Sequence, residues 1–243
     1  MIVFFGYNRF VQQYFYHSPL NEKMIVDLDE DVLYHLIKVL RKDPSYTFRL
    51  CDSEGKIFHA HLISNKQAEI LQFLDEDNEL KTDLTCIMSL IKNDKLELTI
   101  QKLTELGIRR IVLYEAERSV VKLKEEKKIL RLTKIAREAA EQSHRNMIPE
   151  ICAVNSIKDL NRYKSDHNYI CYEAEKNIAD LDVKGSISFI IGPEGGFEKN
   201  EYEKICELGF ESISLGKRIF RAETAAIYMS SVIVSKCQWK LMQ

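Results

Sequence analysis

Gly192, Pro193, Glu194, Gly195 and Gly196 follow the apolar run Phe189–Ile191 and precede a polar stretch that begins at Glu198. The apolar run reads as a buried strand and the polar stretch as a helix ending at Gly209, so the glycines occupy a turn at the carboxyl end of a strand. Glycine leaves no side chain between backbone amides and a bound molecule. In open α/β sheets, ligands bind at such places. A second string, LGKRIFRAET from Leu215 to Thr224, also lies between a β-like run and a helix, so in a parallel sheet both turns share one edge and can line one pocket. The glycine-rich turn has neither the lysine of G-x-x-x-x-G-K-[ST] nor the spacing of G-x-G-x-x-G. A nucleotide-like ligand held without phosphate recognition fits better than NAD or ATP, and a turn packed for its own sake remains the bland alternative.

A second constellation is basic. From Arg118 to Met147 nine Lys or Arg stand against four Asp or Glu, in a chain whose net charge is −2. Phosphates are the natural counter-charge for such a patch. Helical spacing puts Arg131, Lys134, Glu138, Gln142 and Arg145 near one side of a helix, with Ile135 and Ala139 nearer another. A solvated face laced with ion pairs is the competing reading. Arg9, His35, Lys38 and Arg41 are weaker candidates for phosphate contacts. His59 and His61, two apart on a probable strand, lack a third ligand, so no metal site is expected.

These groups need elements to position them. Residues 1–76 read as a small β-rich module: YTFRLCD, KIFHAHLI and AEILQFL are strand-like, and the helix DEDVLYHLIKVLR places Val32, Leu36, Val39 and Leu40 on one face. Residues 75–83, DEDNELKTD, are polar enough for a linker. Residues 77–243 then alternate strand and helix: TCIMSLI, KLELTIQKLTEL closed by Gly107, RRIVLYEA, a long helix from about Glu125 to Ser143, ICAV, the helix-like SIKDLNRY, NYICYEA, ISFIIG, the helix before Gly209, SISLG and a last helix from about Glu223 to Trp239. Such alternation predicts an α/β fold with a mostly parallel sheet covered on both faces.

The 243 residues and 45% hydrophobic content suffice for a real core. Six cysteines lie far apart without C-x-x-C, as expected of reduced thiols in the cytoplasm. MIVFFGYNRF lacks the basic start of a signal peptide, and no run approaches the ~18 apolar residues of a membrane span.

The strings IGPEGGF and LGKRIFRAETA, with TELGIRRI, ERSVVK, EAAEQSHRNMIPEI and HLIKVLR, closely resemble the ribosomal RNA small subunit methyltransferase E family. That family belongs to the SPOUT class of S-adenosylmethionine-dependent methyltransferases. The resemblance implies a C-terminal domain with a trefoil knot and an N-terminal PUA-like RNA-binding module. It places S-adenosylmethionine against Tyr172, Glu173, Ile191, Gly192, Pro193, Glu194, Gly195, Gly196, Leu215, Gly216, Arg218, Ile219, Phe220, Arg221, Thr224 and Ala225, with glycines where a β-carbon would take the ligand's space. It favours Lys92, Arg118, Arg137, Glu141, Gln142 and Arg145 as RNA contacts.

The implied reaction is methylation of N3 of a uridine in small-subunit ribosomal RNA, free or assembled. Arg221, Arg218 and Arg137 are the candidate cations for the developing imide charge. Glu138, Glu141, Glu194 or a water are the candidate proton acceptors. A homodimer is implied, with Ile227, Met229, Val232, Ile233 and Trp239 of the last helix either burying one face against a partner or only covering the sheet. The chain departs from the family pattern at Pro44–Ser45, Asn93 and Phe220, none of which removes a cofactor glycine or arginine. A SPOUT enzyme acting on transfer RNA or a ribose 2′-hydroxyl, and a non-catalytic ribosome-assembly protein, are the rival readings.

Overall fold

The computed structural model describes residues 11–43, 46–122, 126–176 and 181–239. Arg9, Pro44 and Ser45 lie outside them, and the Trp239 side chain is not described. The chain forms two compact units, one running up to Asn78 and including Glu141–Met147, the other made of Glu79–Ala140 and Ile148 onward.

The first unit holds β1 (Gln13–Phe15), β2 (Ile25–Asp27), α1 (Glu30–Leu33), β3 (Thr47–Cys51), β4 (Ile57–Leu62) and β5 (Gln67–Leu74). Its sheet runs β1-β3-β4-β5-β2. Among the described strands of this sheet only β1 and β3 pair in parallel; β3–β4, β4–β5 and β2–β5 are antiparallel. The predicted single α-helix is corrected here. After α1 the backbone widens into a π-wound stretch, Tyr34–Val39, with Leu40 N–H donating to His35 C=O at 2.8 Å. The wider winding turns Val39 out to 53% exposure, while Val32 and Leu36 stay buried and Ile37 packs against the same core.

Glu141–Met147 belongs to this unit through its own hydrogen bonds. Gln13 Nε2 donates to Arg145 C=O at 2.7 Å, Phe15 N–H to Glu141 Oε1 at 3.3 Å, and Asn146 Nδ2 to the carbonyls of Gly55 and Glu76, both at 2.8 Å. Arg49 pairs with Glu76 at 2.5 Å.

The second unit contains β6 (Leu84–Ser89), α2 (Asn93–Glu105), β7 (Arg110–Tyr114), α3 (Glu126–Gln142), β8 (Glu150–Val154), β9 (His167–Cys171), β10 (Ile187–Ile191), α4 (Lys199–Glu207), β11 (Glu211–Ile213) and α5 (Ala222–Trp239). The sheet order is β11-β9-β10-β6-β7-β8, and all five pairings are parallel. Buried on both faces, these strands read as near-continuous apolar runs. On one face Cys86, Met88, Ile111, Leu113, Phe189 and Ile191 meet Leu96, Ile100 and Leu103 of α2, Ala136 of α3 and Met229 and Ile233 of α5. On the other, Ile87, Val112, Ile170 and Ile190 meet Leu160, Phe197, Ile205 and Phe210. Gly107 and Gly209 close α2 and α4 at φ +85° and +92°, where a β-carbon is strained. SIKDLNRY forms a 3₁₀ stretch, Ile157–Tyr163, rather than an α-helix; Ser156 Oγ caps it by accepting the Lys158 N–H at 3.3 Å. No described helix is long and apolar enough to cross a membrane.

Candidate functional site

Three neighbouring strands, β10, β9 and β11, end on one edge of the parallel sheet, and the loops leaving them enclose a cavity of about 280 Å³. From β9 come Tyr172 and Glu173; from β10, Ile191, Gly192, Pro193, Glu194 and Gly196; from β11 and the start of α5, Leu215, Gly216, Arg218, Ile219, Phe220, Arg221 and Ala225. Gly195 and Thr224, expected with them, are exposed and outside the lining. Lys217 and Ala222 of the LGKRIFRAET string also line the cavity, as do Cys171 and Ser214, which were not singled out from the sequence. Each of the latter two abuts a predicted residue, which is the only signal the sequence offers for them.

The glycines are explained differently from the expectation. A β-carbon at Gly192 would sit 2.9 Å from the Phe197 ring, and one at Gly196, where φ is +69°, would strike the Glu173 carboxylate. Gly192 is small because the Phe197 ring occupies the space, whereas at Gly196 the Glu173 carboxylate can swing aside and the positive φ is the firmer requirement. At Gly216 no atom lies within 4 Å of the added carbon, but φ is +111°, so the requirement there is conformational.

The turn is braced from outside the cavity. Arg118, in the loop after β7, donates from Nη1 to the Gly195 carbonyl at 3.1 Å and from Nε to Glu198 at 2.5 Å. The Lys92 N–H donates to Glu194 Oε1 at 3.4 Å. Arg118 is in turn held by its neighbour: the Glu117 N–H donates to Glu201 Oε1 at 3.0 Å, and Tyr114 O–H donates to the same oxygen at 2.6 Å. Glu201, in the first turn of α4, is fully buried, and its Oε2 has no hydrogen-bond partner among the described residues. Burial, reinforced by Glu201, pushes the Tyr114 phenol far above its ordinary value, so it stays a donor. ERSVVK and IGPEGGF, separate strings in the sequence, are thus one bonded assembly.

Tyr172 stacks on Tyr202 with ring centroids 4.0 Å apart, and its N–H donates to the Ile213 carbonyl at 3.1 Å, so the cavity wall is tied to β11. The Arg218 guanidinium lies 5.9 Å from the Phe220 ring centroid. Lys217, Arg218 and Arg221 line the same cavity as Glu173 and Glu194. Burial raises the Cys171 thiol far above neutrality, which keeps a nucleophilic thiolate out of this cleft.

The other predicted contacts are dispersed. Arg137 is half-buried and Glu138 exposed on α3, and neither lines the cavity. Gln142 is the last residue of α3. Arg145 is corrected from the helix face: the helix has ended, His144 takes φ +57°, and Arg145 is only 3% exposed in the first unit. In the same unit His35 Nδ1 bonds the Tyr14 hydroxyl at 2.8 Å, while Lys38 and Arg41 are exposed. His59 and His61 are half-buried on β4.

The RNA methyltransferase domain family matches residues 78–234. The ribosomal RNA small subunit methyltransferase E of Bacillus subtilis (strain 168) is 32% identical over 245 residues, covering 92% of this chain and 96% of that protein. Its counterpart in Mesomycoplasma hyopneumoniae (strain 232) is 34% identical over 230 residues, covering 91% and 98%. The crystal structure of a ribosomal RNA small subunit methyltransferase E from Neisseria gonorrhoeae, bound to S-adenosyl methionine, superposes with a TM-score of 0.86 at 30% identity, covering 93% of this chain and 98% of that one. With the domain match, the relatives and the parallel-sheet fold in agreement, this chain belongs to the ribosomal RNA small subunit methyltransferase E family.

Proposed function

We propose that this protein transfers a methyl group from S-adenosylmethionine to N3 of a uridine in small-subunit ribosomal RNA. The observation that carries the reading is the cavity at the carboxyl edge, walled by the turns of Gly192–Gly196 and Leu215–Arg221 in a chain of this family. Its chemistry suits that cofactor. Backbone groups beside Gly216 and Leu215 can hold an adenine, Glu173 and Glu194 complement cationic centres, and the glycine turn carries no lysine of the kind a triphosphate would need.

When bound, S-adenosylmethionine supplies a methyl group activated by a sulfonium. The protein's part is to align the base with it and to manage the N3 proton. Arg218 and Arg221, both in the lining, would stabilise negative charge on the uracil oxygens as N3 loses its proton. Glu194 is the candidate acceptor within the lining; Glu138 and Arg137 would act from outside the cavity. The target base has to leave its stack to reach the cleft.

The same reading takes the N-terminal module, about residues 1–76, as PUA-like and RNA-holding. Residues 77–243 are then a SPOUT domain with a trefoil knot, in a cytoplasmic homodimer that acts on ribosomal RNA or the assembled subunit. Calorimetric titration with S-adenosylmethionine tests it. Saturable one-site binding is expected, and an intact, folded protein that takes up none would argue for a non-catalytic assembly role.

A further inference from the structure

A second cavity, of about 440 Å³, opens beside the first on the same sheet edge. Its lining includes Lys122, Lys127, Lys128 and Arg131, with Asn93 and Glu97. Its position follows from the topology. Asn93 begins α2 after β6, and Lys122 lies in the loop after β7; these strands are adjacent, and β10 pairs with β6 on the other side. Lys92 and Arg118, which precede Asn93 and Lys122, are the two residues bonded to Glu194 and Gly195 of the glycine turn. The residues bonded to the glycine turn thus lie one and four positions before residues that line the second cavity.

The charge here is poorly compensated from within. Among the described residues, Arg131 pairs with Glu97 at 2.8 Å and Lys122 with Glu115 at 2.7 Å. Among the described side chains, four cations thus answer to two carboxylates, Glu97 and Glu115. Lys127 and Lys128 fall in the first turn of α3, where the helix field disfavours cations. Burial adds a penalty on the Lys128 ammonium, lowering its pKa, with Glu97 offsetting part of it. Positive charge kept at a local cost, in a roomy cleft, is what an anion site requires.

We propose that Lys122, Lys127, Lys128 and Arg131 form a phosphate-binding cleft that grips the RNA backbone next to the nucleotide being methylated. This rests on the RNA methyltransferase reading of the neighbouring cavity. An RNA backbone is favoured over a free anion because the cleft opens on the same sheet edge as the methyl-donor pocket, where a strand delivering its base must pass. Phosphate contacts of this kind position the chain without reading its sequence.

The test uses the full-length protein with Lys127→Gln/Lys128→Gln, and with Lys164→Gln/Lys184→Gln as a control. The control lysines are exposed and precede β9 and β10, so they lie at the opposite edge of the sheet. Binding of a small-subunit RNA transcript is followed by fluorescence anisotropy across a potassium chloride series, and S-adenosylmethionine affinity by calorimetry. The cleft variant is expected to bind the cofactor as the unaltered protein does, yet to flatten the plot of log affinity against log salt by about 0.7 to 0.9 for each phosphate that it no longer neutralises. The control should keep the full slope. Equal slopes for all three proteins would overturn the proposal, as would equal flattening by the control pair. The binding arm is independent of catalysis. A flattened slope in a protein that transfers no methyl group would support the cleft and count against the methyltransferase reading alone.

Discussion

Replacing Glu201 by alanine removes the one acceptor shared by Tyr114 O–H, at 2.6 Å, and Glu117 N–H, at 3.0 Å. Glu201 is fully buried and Tyr114 only 2% exposed, so water does not readily replace the missing oxygen. Each donor stranded in this way costs about 1 to 3 kcal/mol, which gives about 2 to 6 kcal/mol for the pair. Tyr114→Phe leaves the carboxylate its Glu117 bond and forfeits one hydrogen bond to a charged group, about 1.5 to 3 kcal/mol. The double variant strands only the Glu117 amide, so its cost should fall below the sum of the two single costs by at least about 1 kcal/mol. Urea unfolding followed by circular dichroism measures all three. Because Glu117 adjoins the Arg118 brace on Gly195 and Glu198, Glu201→Ala should also weaken S-adenosylmethionine binding where the variant is still folded. A stability loss under about 0.5 kcal/mol, or strictly additive costs, would refute the shared acceptor.

Gly196→Ala places a β-carbon against Glu173 at φ +69°, and should lower cofactor affinity about tenfold or more by calorimetry, an effect of about 1.4 kcal/mol. Gly195→Ala, whose nearest neighbour would be 3.5 Å away, should leave affinity within about twofold; equal effects at both positions would contradict the backbone and packing explanation. Arg118→Ala should raise the cofactor dissociation constant severalfold, and an unchanged constant would mean that the brace does not support the pocket. Burial raises the phenols of Tyr14 and Tyr114, and a bond to Cys152 together with burial lifts Tyr163 to about 12. A raised pKa means the folded state holds its proton longer. Stability is therefore complete below about pH 10, the unfolded value, and falls as pH rises above it. Tyr114→Phe should flatten that alkaline decline in a urea-midpoint series; identical declines would count against it.

The second unit was the more legible of the two because both faces of its sheet are buried. Phe189, Ile190 and Ile191 point alternately to two cores, so their run is continuously apolar and reads as a strand without ambiguity. Helix ends were equally readable at Gly107 and Gly209, where positive φ selects glycine. β1 and β2 have three residues each, too few for a period to register. The π winding over Tyr34–Val39 is a backbone adjustment with no compositional mark, and it displaced Val39 from its expected face.

In the site, the two turns announced themselves by glycine spacing and by their places after β-like runs. What Gly192 and Gly196 make room for did not, because Phe197 and Glu173 reach them only in the folded chain. The burial of Arg145 follows from a turn at His144, a left-handed histidine that helical periodicity simply runs through. The Tyr114–Glu201 bond joins residues 87 apart, and no local pattern foretells it.

Nucleoside mass spectrometry of small-subunit ribosomal RNA tests the proposed methyl transfer most directly. RNA from cells lacking the gene should be short of one N3-methyluridine, which returns when the purified protein and S-adenosylmethionine are supplied to that RNA or to its subunit. Persistence of the full N3-methyluridine complement in those cells would contradict the proposed reaction.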